Sequence, residues 1–301
     1  MLAPRPALAD ALRVERTGDL RFRAPAPSGA RQQRIFGGQL MGQAALAASR
    51  TMSPELELHL VHARFGRPGD PQRDLELAVS PFVDRGSFAY RRVQVCQSGR
   101  ELLELTASFH RRESGPAHQP VAPAAGRPED LPTFGELARR SGDEATRQWW
   151  QRLSGWLPVE VRAPEVPGRW SPPPGHELVP HQQVWLRADP VPGDDPHLDR
   201  AGMIYTSDLF LLTAGMVRHG LRHGDDGVLA VTLNHTMWFH GSVSFGEWWR
   251  YEQEGSWSGS GRQLSRGQMF DRSGTLVATV MQEGLLRVAA YRDRAEEGLA
   301  G

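Results

Sequence analysis

The order of elements written into this chain occurs twice, and that repetition limits its fold more than any other feature. In the first half, Gly37-Gly38-Gln39 opens a run rich in Ala, Leu and Met that continues to about Met52. Leu40, Ala44, Ala47 and Ala48 recur at helical spacing with small residues almost all round, which predicts a buried helix. A short strand pattern, Leu12–Phe22, precedes it. Four more follow, at His59–Arg67, Leu75–Val83, Ser87–Cys96 and Leu102–Arg111, with turn chemistry at joints such as Asp84-Arg85-Gly86-Ser87 and Gln97-Ser98-Gly99-Arg100. The second half repeats the series. A strand at His181–Ala188 precedes a helix from about Asp208 to Arg218. Strands follow at Val228–His240, Glu247–Ser256, Arg262–Phe270 and Leu276–Arg287. The turn Arg272-Ser273-Gly274-Thr275 answers the one at Ser98: 36 residues separate His62 from Ser98, and 38 separate His235 from Ser273. Two units, each an antiparallel sheet wrapped around one apolar helix, predict an α+β fold built by internal duplication.

Proline marks the joint between the units. Twelve of the 23 prolines fall between Ser114 and Pro180, including Pro172-Pro173-Pro174. One helix is expected inside this stretch, Phe134–Leu153, opened by Thr133 with Glu136 three residues on. The expected organisation is an N-terminal repeat over 1–112, a Pro-rich connection over 113–176, a C-terminal repeat over 177–290 and a tail over 291–301.

Composition removes several function classes. Basic and acidic residues balance at 35 each, so the basic excess of a nucleic-acid binder is missing. All 35 basic residues are Arg; without Lys there is no Schiff-base lysine and no Walker-type phosphate loop. The single cysteine, Cys96, excludes an intrachain disulfide and a Cys-based zinc site, and suits a reducing compartment. No window approaches 18 uninterrupted apolar residues, and Met1–Asp10 is too short and proline-rich for a signal-peptide core. A cytoplasmic protein without membrane or nucleic-acid partners is expected.

Seven stretches, in order from about residue 34 to 287, resemble the type II (TesB-like) acyl-CoA thioesterases. They are Arg34-Ile35-Phe36-Gly37-Gly38-Gln39; Phe65-Gly66-Arg67-Pro68-Gly69-Asp70, with Gly66 in place of leucine; Asp84-Arg85-Gly86-Ser87-Phe88 with Arg91-Arg92-Val93; Val184-Trp185-Leu186-Arg187; Tyr205-Thr206-Ser207-Asp208-Leu209; His235-Thr236-Met237-Trp238-Phe239-His240; and Gln282-Glu283-Gly284-Leu285-Leu286-Arg287. The resemblance implies a double hot-dog fold, a homo-oligomer, and hydrolysis of acyl-CoA thioesters without a metal or redox cofactor. It also implies catalytic roles for Asp208, Thr232 and Gln282.

These residue types suit the chemistry. Hydrolysis needs an activated water and a stabilised oxyanion. Asp208 can accept a proton, while Thr232 and Gln282 carry donors and acceptors that could fix the water. Gly37 and Gly38 allow close backbone approach at a helix N-terminus, where free N–H groups of Gly38 and the Gln39 amide could polarise the carbonyl. One site between the halves is therefore expected. Each triad residue also has a plainer reading: Asp208 ahead of Leu209–Leu212 suits a helix N-cap, and Thr232 and Gln282 suit strands.

His235 lies beside this group, but His235 and His240 are five apart, which puts them on opposite strand faces and argues against a shared metal; His59 and His62 fail likewise. The family usually carries Asp before the motif's His, where this chain has Asn234. On a regular strand Asn234 shares a face with Thr232, so the change would remove a charge near the site. It keeps two alternatives open: a non-hydrolytic hot-dog enzyme acting on an acyl or polyketide thioester, and a non-catalytic acyl-CoA-binding protein. The carrier, coenzyme A or an acyl carrier protein, also stays open.

Overall fold

A computed structural model describes residues 6–26, 33–168, 179–189, 195–242, 244 and 246–289. The proposed tail 291–301 and the Pro172-Pro173-Pro174 run lie outside them. The N-terminal half contains α1 (Leu8–Ala11), β1 (Glu15–Gly18), β2 (Arg21–Ala24), α2 (Gly37–Ser49), β3 (Leu56–Phe65), β4 (Leu75–Arg85), β5 (Phe88–Gln97) and β6 (Arg100–Arg111). The connection carries α3 (Phe134–Arg140), α4 (Glu144–Ser154) and β7 (Val159–Arg162). The C-terminal half contains β8 (His181–Ala188), α5 (Pro196–Ser207), α6 (Leu211–Val217), β9 (Val228–Phe239), β10 (Trp249–Gly259), β11 (Arg262–Asp271) and β12 (Leu276–Val288).

The strands form one antiparallel sheet in the order β1-β2-β4-β5-β6-β3-β9-β12-β11-β10-β8-β7. α2 packs on the strands of the first half, α6 on those of the second, and α2 lies against α5 between them. This is the double hot-dog arrangement. The buried helix expected after Gly37 is α2, in which every residue from Gly38 to Ser49 is buried. Glycine sets its distance from α5: a Cβ on Gly38 would stand 2.2 Å from the Tyr205 carbonyl oxygen, and one on Gly42 would stand 2.8 Å from that of Ala201.

The halves join edge to edge through β3 and β9, with His62 opposite Thr236 and a 2.8 Å hydrogen bond between His62 Nδ1 and Thr236 Oγ1. Each strand carries one bulge against its other neighbour: His59 is skipped in the β3–β6 register, and Leu233 in the β9–β12 register. Superposing the bulges makes Val61 the counterpart of His235 and His62 that of Thr236. This corrects the alignment of His62 with His235. Those two face opposite sides of the sheet: His235 is fully buried like its neighbour Met237, whereas His62 is half-buried between buried Val61 and Ala63.

Other expectations need correction. The expected helix Phe134–Leu153 is two, α3 and α4, separated at Gly142, whose φ of 68° stops α-helical continuation. The Thr133–Glu136 capping box opens α3 as expected. The 113–176 stretch is more than a connection, because β7 pairs with β8 and extends the sheet. Leu12–Phe22 is a helical end followed by the β1–β2 hairpin rather than one strand. The helix expected over Asp208–Arg218 is displaced: α5 ends at Ser207 and α6 begins only at Leu211.

Candidate active site

Asp208 occupies the break between α5 and α6. It caps the C-terminus of α5, with φ −84° and ψ −10°, and is not the N-cap that its neighbours suggest. Phe210, with φ 65°, reverses the chain into α6. The break turns the Asp208 carboxylate towards the start of α2. There the N-cap is Phe36, whose side chain cannot accept a hydrogen bond, so the first-turn N–H groups need another partner. Asp208 Oδ2 supplies it, accepting from the Gly38 N–H at 2.9 Å. A Cβ on Gly37 would stand 2.7 Å from the same oxygen, so both glycines are required for this approach.

The other carboxylate oxygen meets the two remaining residues. Gln282 Nε2 donates to Asp208 Oδ1 at 2.5 Å and to Thr232 Oγ1 at 2.7 Å, and the Thr232 hydroxyl donates to Asp208 Oδ1 at 3.3 Å. The structure thus brings Asp208, Thr232 and Gln282 into one hydrogen-bonded triangle, with Gly38 on the far side of the carboxylate. Burial pushes the Asp208 carboxyl up to about 6, against the opposing pull of the donors from Gln282, Gly38 and Thr232. Part of Asp208 stays exposed, so the group is desolvated yet reachable.

The helix end is less free than sequence alone implies. The Gly38 N–H is engaged by Asp208, and the Gln39 N–H donates to the Phe36 carbonyl at 3.1 Å. The buried Gln39 side-chain amide has no hydrogen-bond partner among the described residues. Phe65 stands beside Gly37 and Phe36 beside Gly38; the Phe36 ring lies 5.0 Å from that of Tyr205 and 5.2 Å from that of Trp156. Trp149 and Trp150 instead pack edge-on against Phe134.

His235 is fully buried on β9. Ser207 Oγ donates to the Ile204 carbonyl, so His235 Nε2 must donate to Ser207 Oγ, at 2.8 Å. Desolvation holds the imidazole down at about 3, and it is neutral at working pH. His240 faces the other side with Thr279 at 2.9 Å, as the odd spacing requires. Among the described residues no cluster of His, Cys, Asp and Glu could hold a metal.

Asn234 does not face the site. The bulge at Leu233 inverts the alternation, so Thr232 and His235 point inward and Asn234 outward, where its amide donates to Glu283 at 2.7 Å. Arg262 pairs with the other oxygen of Glu283. The sequence-based placement of Asn234 and Thr232 on one face is therefore wrong. Asn234→Asp is expected to leave kcat within about twofold of wild type, since no contact with Asp208 changes. Setting two carboxylates together should cost about 1 kcal/mol, read from denaturant melts.

The first half holds no copy of the triangle. Bulge superposition places Leu58 at the position of Thr232, and Ala107, the partner of Val61, at that of Gln282, the partner of His235. The reciprocal α2–α5 contacts, Gly38 with Tyr205 and Gly42 with Ala201, place Ala45 at the position of Asp208. Ala45, Leu58 and Ala107 are buried.

Comparison with known proteins agrees with this architecture. Residues 25–110 match the family described as acyl-CoA thioesterase N-terminal domain, and residues 158–285 match the acyl-CoA thioesterase family. Acyl-coenzyme A thioesterase 8 of Mus musculus is 30% identical over 85% of this chain and 81% of its own length. Acyl-CoA thioesterase 2 of Haemophilus influenzae is 29% identical over 92% and 95%. The crystal structure of an acyl-CoA thioesterase II, TesB2, from Mycobacterium marinum superposes with a TM-score of 0.75 at 35% identity, covering 94% of this chain and 98% of that one. With its paired repeats, its Asp–Thr–Gln triangle and these relatives, the chain belongs to the acyl-CoA thioesterase family.

Proposed function

We propose that this protein hydrolyses acyl-CoA to the free carboxylic acid and coenzyme A, with Asp208 as general base. The observation that carries the reading is the desolvated, partly exposed carboxylate fixed by three donors from both halves of the chain. Water attacks the thioester carbonyl carbon and gives its proton to Asp208. The resulting tetrahedral oxyanion collapses, the C–S bond breaks, and the thiolate takes the proton back. Thr232 and Gln282 hold the carboxylate and turn towards the water once it binds. The unengaged Gln39 amide is placed to polarise the carbonyl, and the Gly38 N–H is shared between Asp208 and the developing oxyanion. The aromatic wall of Phe36, Phe65 and Trp156 suits the acyl chain. These steps use side chains and backbone donors alone.

The outward position of Asn234 removes the observation that favoured a non-hydrolytic enzyme. The terminal strand β1, with exposed Phe82, Phe88 and Tyr90 on the β4–β5 hairpin, supports a homo-oligomer. The lone Cys96 suits a reducing, cytoplasmic compartment, and an acyl-CoA substrate suits a place in lipid metabolism.

The test is turnover of a short-to-long acyl-CoA panel followed by loss of thioester absorbance across pH. Only the carboxylate form of Asp208 can take a proton. Hydrolysis is therefore expected to fall about tenfold per pH unit below a midpoint near 6 and to plateau above it. Tight acyl-CoA binding with no turnover at any chain length would overturn the reading in favour of a binding protein.

A further inference from the structure

The break at Asp208 needs support, because a helix interrupted inside a core leaves carbonyl groups without N–H partners. The support comes from one strand. Tyr251 and Gln253 are two residues apart on β10, so they share a face, and both are fully buried. The Tyr251 hydroxyl donates to the Ser207 carbonyl at 2.7 Å, and Gln253 Nε2 donates to the Leu209 carbonyl at 2.7 Å. These carbonyls belong to the residues on either side of Asp208. We propose that Tyr251 and Gln253 are positioning residues, which grip the backbone before and after Asp208 and so fix where its carboxylate points.

The grip is built, not incidental. Gly267 on β11 leaves room for the Tyr251 ring: a Cβ there would stand 2.3 Å from the ring and 2.7 Å from the hydroxyl. Gln253 Oε1 accepts from Gln182 Nε2 at 2.6 Å, and Gln182 Oε1 accepts from the Gly168 N–H at 2.7 Å. The amide of Gln253 is thereby oriented with its NH2 group towards Leu209. Nothing local in Ser207-Asp208-Leu209 dictates a break, since no Gly or Pro is present. A small rotation of the peptides flanking Asp208 would swing the carboxylate away from Gly38, Thr232 and Gln282, and misplacements near 1 Å cost on the order of 100-fold in rate.

Gln263 provides an internal comparison. It is equally buried, on the neighbouring strand β11, and donates to the Leu212 carbonyl at 2.7 Å, inside α6 and beyond the break. Losing its donor removes a buried side-chain-to-carbonyl hydrogen bond of the same length without touching the residues beside Asp208.

The inference rests on Asp208 as the base, so Asp208→Asn is assayed beside Tyr251→Phe, Gln253→Met and Gln263→Met on one acyl-CoA that the wild type hydrolyses. For Tyr251→Phe and Gln253→Met, kcat is expected to fall about 10- to 100-fold with KM within about threefold. The acid midpoint should move above about 6, because a displaced carboxylate loses the donors that favour its charge. The titratable groups around it, Tyr205 on α5, Tyr251 on β10 and His235 on β9, are neutral over this range. Gln263→Met is expected to melt earlier with kcat and midpoint unmoved. Overturning results are a full kcat in Tyr251→Phe and Gln253→Met, or losses that track melting temperature alike in all three with an unmoved midpoint. An active Asp208→Asn would instead defeat the base assignment itself and the inference with it, and its signature is separate from both.

Discussion

Asp208→Asn is expected to lower kcat about 1000-fold while leaving KM for acyl-CoA within a few-fold, the size of effect that removing a general base produces. Asn keeps the side chain's shape and one acceptor for the donors of Gly38, Thr232 and Gln282, but takes no proton. Thioester absorbance assays at fixed pH read the loss, and an unchanged kcat would remove Asp208 from the mechanism. The same substitution has a thermodynamic signature. Burial raises the folded-state carboxyl from 3.8 to about 6, so between these values the unfolded chain has already released a proton that the folded chain still binds. Folded-state stability from this group is thus complete below pH 4 and is lost as pH rises through 6. Wild type should lose about 3 kcal/mol over that interval that Asp208→Asn does not lose. Denaturant melts of both proteins at pH 4 and pH 7 measure the difference; equal slopes would mean the carboxylate is not desolvated.

Gly38→Ala is the second large effect. A methyl group there meets the Tyr205 carbonyl oxygen at 2.2 Å, a backbone atom that cannot rotate aside, and the Phe36 ring at 2.5 Å. α2 and α5 must separate, at an overpacking cost of about 3 kcal/mol and a melting temperature lower by about 6–10 °C. The Gly38 N–H then withdraws from Asp208, so hydrolysis should fall more than stability alone explains. Gly42→Ala separates the two consequences. It forces the same helix pair apart at Ala201, about two turns before Asp208, and should destabilise while sparing kcat. Equal kinetic losses in both variants would show that helix spacing, and not the Gly38 donor, governs the site.

Much of this fold is readable from the chain because the sheet announces itself locally. β8 begins and ends where alternation and its flanking residues place it, and the long strands β9 and β12 differ from expectation by one residue at an end. The misses share one cause: non-local partners override the local pattern. Ser207-Asp208-Leu209 reads as helix or cap, yet it breaks, because side chains on β10 pair the carbonyls of Ser207 and Leu209. Leu233 reads as an ordinary strand residue, yet it bulges, and that one unpaired residue reverses the face of Asn234. β7 is four residues among prolines, held by β8 on one side and by an isolated bridge from Thr133 on the other. The site was legible only through the resemblance of whole motifs. Isolated, Asp208, Thr232 and Gln282 carry no spacing that joins them, since sheet register and a helix break do the joining.

The aliphatic trio Ala45, Leu58 and Ala107 gives the duplication a direction. Two copies of the first half would have no base, and two copies of the second would set Arg200 and Ala201, with their side chains, where Gly37 and Gly38 admit the carboxylate. Neither half can regenerate a working symmetric ancestor by pairing with itself. The fusion is a one-way commitment: each half has surrendered what the other keeps, and a single covalent chain now guarantees that the complementary halves are always made together in equal number.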